Sequence, residues 1–275
     1  MRNPLRSVYT QLPISSDFCG SLGKQTRRPP ATLARLDEIM GTRASVDERP
    51  IGRCIGLIGG LDVGAAVYYY QELAKAHAAH GCAMNLVMVH AHMDRVRSAV
   101  AAKDKPGLAT YLADLIGRLK AAGAEFAAVP AVAPHIAIQA LLAISPLPLV
   151  NLIAVLRREI EELGLGRVAL FGTRYVIESR LFGHLGGVDV ITPQPDEIDY
   201  IHSTYFEIAE AGAGTARQRE GLTGLAHKLS ERDRVEAIVL AGTDLTLVFD
   251  ETNTDFPHID AARLHLEAIM RRALH

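Results

Sequence analysis

Short apolar runs ended by glycine or proline alternate with helix-length stretches over almost all of residues 54–275. That rhythm constrains the fold more than any other feature, because parallel neighbouring strands need a crossover long enough to hold a helix. The predicted strands are Cys54–Ile58, Asn85–Val89, Glu125–Val129, Leu147–Val150, Val168–Phe171, Val188–Ile191 and Ala237–Leu240. Predicted helices fall at about 64–80, 105–122, 135–144, 152–163, 175–182, 197–211, 215–230 and 261–274. The pattern runs twice, which predicts an α/β chain of two tandem, pseudo-symmetric parallel-sheet halves with an active-site cleft between them. The first half takes residues 51–150 with the closing segment 259–275, whose helix is expected to pack back on it, and the second takes 151–258. Residues 1–50 mix Pro, Ser, Arg and Thr with one short helical stretch at 31–40 and read as a poorly ordered extension, with Met40 a candidate start.

With 275 residues, 49% hydrophobic and 22% charged, the chain is long enough for one or two cores. A net charge of -2 makes no field that would gather nucleic acid or an anionic membrane, so neither is an expected partner. No apolar run approaches the ~20 residues that cross a bilayer, and the N-terminus lacks the apolar core of a signal peptide, so a cytoplasmic protein is expected. Cys19, Cys54 and Cys82 fit no zinc or disulfide spacing, and Cys54 reads as a core thiol.

In open parallel sheets ligands bind beyond the carboxyl ends of the strands. Five segments occupy such places: Gly59 to Asp62, His90 to Asp94, Pro130 to His135, Gly172 to Arg174, and Ala241 to Asp244. Gly59-Gly60 lacks the full G-x-G-x-x-G pattern, so it reads as a tight turn whose amides hold a carboxylate rather than a dinucleotide. If the strand before His90 persists, His90, His92 and Asp94 share a face. There they either line the cleft or, with Asp62 or His135, hold a divalent metal; no compact ligand motif supports the metal, and none is assigned. Thr173 and Arg174 stand where a helix begins, either as a carboxylate receptor or as a simple cap with Arg174 in solvent. Thr243 and Asp244 follow a buried strand in the same way, with Asp244 either a cap or a cleft carboxylate.

Taken in order, these segments resemble the aspartate/glutamate racemase family. Ile55-Gly56-Leu57-Ile58-Gly59-Gly60 is similar to its opening I-G-I-L-G-G, Gly172-Thr173-Arg174-Tyr175 to its G-T-R-Y/F, and Ala241-Gly242-Thr243-Asp244-Leu245 to its G-C-T-E-L. Pro130 to His135 keeps the frame and both ends of P-C-N-T-A-H, and Ile259-Asp260 through His265 is similar to the closing I-D-T-T-x-x-H-A. The resemblance implies a cofactor-independent enzyme, often a homodimer, that holds a small carboxylate substrate by helix-start amides and Thr/Arg groups. It also implies two cysteines that exchange the Cα proton on opposite faces.

Here those two cysteine positions are Ala131 and Gly242, and the motif's Asn and Thr are Val132 and Ala133. Two-thiol racemisation is therefore not expected. Asp62 stands where the family has glycine of M-G-P, so Asp62, His92 or Asp94 is the candidate base and His135 the candidate acid. Small residues at 131 and 242 are expected to leave room in the cleft. The expectation is proton transfer at Cα of a small amino acid or dicarboxylate, with lyase-like chemistry ahead of racemisation. The alternatives are a non-catalytic carboxylate-binding relative and, behind it, a metal-dependent hydrolase or lyase.

Overall fold

The computed structural model describes residues 49–61 and 63–275. The sequence expectations for residues 1–48, Cys19 and Met40 included, lie outside the described residues, and so does Asp62. Two four-stranded sheets, every pairing parallel, form the framework.

The first sheet has the order β2-β1-β3-β4, from β1 (Ile55–Gly59), β2 (Leu86–His90), β3 (Phe126–Ala128) and β4 (Leu149–Val150). The second repeats that order as β6-β5-β7-β8, from β5 (Arg167–Phe171), β6 (Asp189–Ile191), β7 (Ala237–Leu240) and β8 (His258–Asp260). Strands β1, β3 and β7 are buried along their whole length, which is why they read as continuous apolar runs without alternation.

The helices α1 (Val63–Ala79), α2 (Met93–Ala101), α3 (Lys105–Ala121), α4 (Ile138–Ile144) and α5 (Leu152–Glu162) belong to the chain's first part. The later helices are α6 (Arg174–Glu178), α7 (Pro195–Ala211), α8 (Ala216–Asp233) and α9 (Ala261–Leu274). Helix α3 shows the local logic. Asp104 accepts from the Gly107 amide at its start, Pro106 sits in the first turn, and Leu108, Leu112, Leu115 and Leu119 bury one face.

The two halves exchange helices. Helix α5 follows the first sheet's last strand, capped by Asn151, yet buries Leu152, Ile153, Leu156 and Ile160 in the core of the second sheet. Helix α9 follows the second sheet's last strand, capped by Asp260, yet buries Ala262, Leu266, Ile269 and Met270 against Ile55, Leu57 and Phe126 of the first. Cys54 is buried in the first half's core.

Three departures from the sequence reading have physical reasons. The strand before the His90 segment ends at His90, and helix α2 begins at Met93, so His90, His92 and Asp94 do not share a strand face. The backbone N–H of His92 instead donates to the Tyr111 hydroxyl at 2.8 Å, turning the chain into the helix. Strand β8 is an addition: its one apolar residue, Ile259, stands between His258 and Asp260, so no apolar run marks it. The helix expected to reach Phe182 stops at Glu178, because Arg180, Leu181 and Phe182 all take left-handed φ of 49°, 54° and 62°. Left-handed backbone costs about 1–2 kcal/mol for each such residue. Offsetting it, Leu181 is fully buried, Phe182 packs on both halves' cores, and the Ser179 hydroxyl accepts from the Phe182 amide.

Candidate active site

The carboxyl ends of the two sheets face each other. A Cβ on Gly64, at the start of α1, would stand 3.0 Å from Asp244 Oδ1 of the second half. Arg97 of α2 lies over the Phe206 ring of α7 at 5.5 Å, and Lys103 lies over Tyr175 at 5.9 Å. Val132 is buried in the second half's core, while Tyr175 and Phe182 pack against the first half's. Residues that follow β1, β2, β3, β5 and β7 therefore meet where the two halves join.

On the first half's side the Gly60 turn is closed tightly. With φ +75°, it carries a conformation that suits glycine, and a Cβ there would come within 2.6 Å of both the Ala91 carbonyl and the His90 ring. His90, His92 and Asp94 are exposed around it. Among the described residues no three His, Cys, Asp or Glu side chains come together as a metal site.

Ala131, at the family's first cysteine position, is buried, and its carbonyl accepts from His135 Nδ1 at 2.8 Å. That bond puts the proton on Nδ1 and leaves Nε2 as the lone pair. Burial pushes the His135 imidazole down to about 4, so it is neutral near pH 7. Behind it lies His265, ring centroids 6.4 Å apart. His265 donates from Nε2 to the Val150 carbonyl at 2.9 Å and accepts at Nδ1 from the Tyr69 hydroxyl at 3.1 Å. Burial, with His135 beside it, holds His265 down to about 3.

On the second half's side Thr173 and Arg174 both have partners within the protein. Thr173 Oγ1 accepts from the Val176 amide at 3.4 Å as the cap of α6. The Arg174 guanidinium pairs with Glu178 at 3.2 Å and with Asp199, and the Arg174 amide donates to His202 Nδ1 at 3.1 Å. Burial and the Arg174 charge lower the His202 pKa, which fits a ring that accepts at Nδ1. Thr243 and Asp244 are buried at the end of β7. Asp244 lies in the first turn of a 3-10 segment at 243–247, and its Oδ2 accepts from the Tyr205 hydroxyl at 2.8 Å.

Tyr205 corrects the expectation of empty space at Gly242. A Cβ on Gly242 would stand 2.4 Å from Tyr205 Cε2, 2.9 Å from Cδ2 and 3.2 Å from Cζ. Any side chain at the family's second cysteine position would project into that ring. Sequence reasoning missed Tyr205 because it sits inside an ordinary amphipathic helix, 37 positions before the glycine it meets. The one local signal was the glycine itself, which after a buried strand often marks a close approach.

Two parallel α/β halves with facing strand ends define a class of enzyme-bearing folds that hold a small ligand between them. The family model for Asp/Glu/hydantoin racemases matches residues 58–269, and the chain belongs to that family. Its structure is similar to that of an aspartate racemase homologue from Pyrococcus horikoshii OT3, with TM-score 0.68 and 22% identity over 80% of this chain and 99% of that one. It is also similar to a putative Asp/Glu racemase from Yersinia pestis, with TM-score 0.69 and 24% identity over 81% and 100% of the two chains. A liganded arylmalonate decarboxylase variant shares the fold at TM-score 0.51 and 15% identity, over 80% and 92%. Among the described residues no helix is long and apolar enough to cross a membrane.

Proposed function

We propose that this chain is a cofactor-independent enzyme acting on a small amino acid or dicarboxylate by proton transfer at the carbon beside the carboxylate. The transfer works from one face, so a lyase-type outcome takes precedence over two-thiol racemisation. The observation that carries this reading is the state of the two cysteine positions: Ala131 has no proton to give, and Gly242 is backed by the Tyr205 ring. A racemase needs an acid–base group on each side of the carbon, whereas decarboxylation or elimination needs one. The decarboxylase among the similar structures supports the same direction.

Proton NMR in deuterium oxide, across aspartate, glutamate and related dicarboxylates, tests the reading. Deuterium entering the α position with retained configuration, or a decarboxylated or eliminated product, is the expected result. Inversion together with exchange would remove the one-face claim, and silence from every acid would remove the enzyme reading altogether.

We further propose a cytoplasmic homodimer with neither nucleic acid nor membrane as partner. Val63, Val67 and Tyr70 form an i, i+4, i+7 apolar stripe on α1, 71%, 50% and 48% exposed, beside the edge strand β2. A second copy is the occupant we assign to it. Light scattering should give a dimer for the native chain and a monomer for the Val67→Asp, Tyr70→Asp double variant; an unchanged mass would refute this interface.

A further inference from the structure

The strongest groups left over by the family comparison are Tyr205 and Asp244. The thiol chemistry does not account for Tyr205, a buried phenol bonded to the buried Asp244 carboxylate at the head of β7. Their placement is specific in three respects. The Tyr205 ring lies along the direction that a side chain at 242 would take, with three ring atoms within 3.2 Å of the missing Cβ. Its hydroxyl donates to Asp244 Oδ2 at 2.8 Å. The other oxygen of that carboxylate reaches the start of α1 in the opposite half, 3.0 Å from where a Gly64 Cβ would be. The pair is therefore buried on the second half's side of the junction and touches the first.

Resting on the proposed function above, we infer that Tyr205 is the catalytic acid–base group of the second half, working through Asp244 in place of the absent thiol. In the forward step the substrate Cα–H bond breaks and its proton passes to the Tyr205 oxygen. The phenol's own proton moves along the 2.8 Å bond to Asp244. The electron pair stays on the substrate as an enolate, Tyr205 remains a neutral phenol, and Asp244 becomes the neutral acid. Return runs the same path: Asp244 gives its proton to Tyr205, and Tyr205 gives one to carbon. When the substrate loses CO2 instead, Asp244 first takes a proton from solvent; the C–C bond then breaks, CO2 leaves, and the pair left on carbon takes the Tyr205 proton while Asp244 returns its own to the phenol. A carboxylate held in a buried hydrogen bond accepts the proton without a free tyrosinate ever forming.

The surroundings of the pair are largely apolar. Val132 and Ala133 stand where the family places Asn and Thr, and Phe206 borders Tyr205 with ring centroids 5.8 Å apart. Thr173 and Arg174 are held by their own neighbours.

The test measures deuterium uptake by NMR for aspartate, glutamate, malonate and phenylmalonate with the full chain and three variants. Tyr205→Phe keeps the ring and removes the hydroxyl; Asp244→Asn keeps the hydrogen bond and removes the base. Tyr200→Phe, on the same helix and outside the site, is the control and should exchange at the native rate. For whichever acid the native protein processes, we expect both site variants to lose at least tenfold in rate, with the acid's calorimetric affinity kept within threefold. A loss below tenfold in Tyr205→Phe overturns the inference while leaving the proposed function standing. Full activity in Asp244→Asn overturns the relay to the carboxylate even if the phenol matters. A native protein silent with all four acids fails the proposed function, and this inference falls with it.

Discussion

Between pH 7 and pH 5 this protein should lose about 3–4 kcal/mol of stability from two histidines alone. His135 and His265 are buried and neutral, with burial holding them down to about 4 and about 3. In the unfolded chain both titrate near 6.5. Their contribution is therefore complete above that value and drains away as pH falls toward the folded values, because only the unfolded state takes up protons in that window. Each site loses about 2 kcal/mol by pH 5, and the melting temperature should drop on the order of 10 °C. Thermal unfolding followed at half-unit steps of pH checks this, and His265→Gln should remove about half of the slope. A flat profile from pH 7 to pH 5 would show that these rings are not buried as neutral groups. The bonds explain why the protein keeps them: His265 ties Val150 of β4 to Tyr69 of α1, and His135 ties back to Ala131.

Gly242→Ala should destabilise the chain by about 3–5 kcal/mol, combining overpacking with loss of a buried charged hydrogen bond. The sign is the informative part. Gly242 has φ −138° and ψ 120°, extended backbone that any residue adopts, so the backbone alone predicts that alanine stabilises by about 0.4–1 kcal/mol. The Tyr205 ring, 2.4 Å from the new methyl, reverses this, since moving the ring breaks its bond to Asp244. A double-mutant cycle with Tyr205→Ala, measured by urea unfolding, should return coupling above 2 kcal/mol, a size seen for directly contacting residues. Additive effects would mean that the ring does not stand where a thiol would project.

The fold was legible in the sequence wherever burial on both faces forces an apolar run. The seven expected strands correspond to β1 to β7, within a few residues at their ends, and the repeat of strand order follows from the repeat of the pattern. Strand β8 was not legible because its sequence, His258-Ile259-Asp260, holds no apolar run. Nor was the left-handed turn at 180–182, since Arg, Leu and Phe carry no turn signal and only long-range packing holds them there.

The candidate site was legible as a set of places and less so as a set of contacts. The segments at 59–60, 90–94, 130–135, 172–174 and 241–244 each lie at the carboxyl end of a strand, because strand order and strand direction decide where those ends go. Which side chains they free for a ligand depends on partners far along the chain. Arg174 is claimed by Asp199, and Gly242 is faced by Tyr205. His92 lost its expected strand partners to Tyr111, 19 positions away. Neither composition nor spacing registers such pairings.

The exchange of α5 and α9 has a mechanical meaning for the cleft. Each sheet is roofed by a helix whose peptide tether leads to the other sheet, so the halves are dovetailed before any ligand arrives. Spreading the cleft wide would require lifting a roof helix from its core, not merely bending a linker. The width of the cleft is thus written into the chain's connectivity, and adaptation to a different substrate is confined to the side chains on its walls.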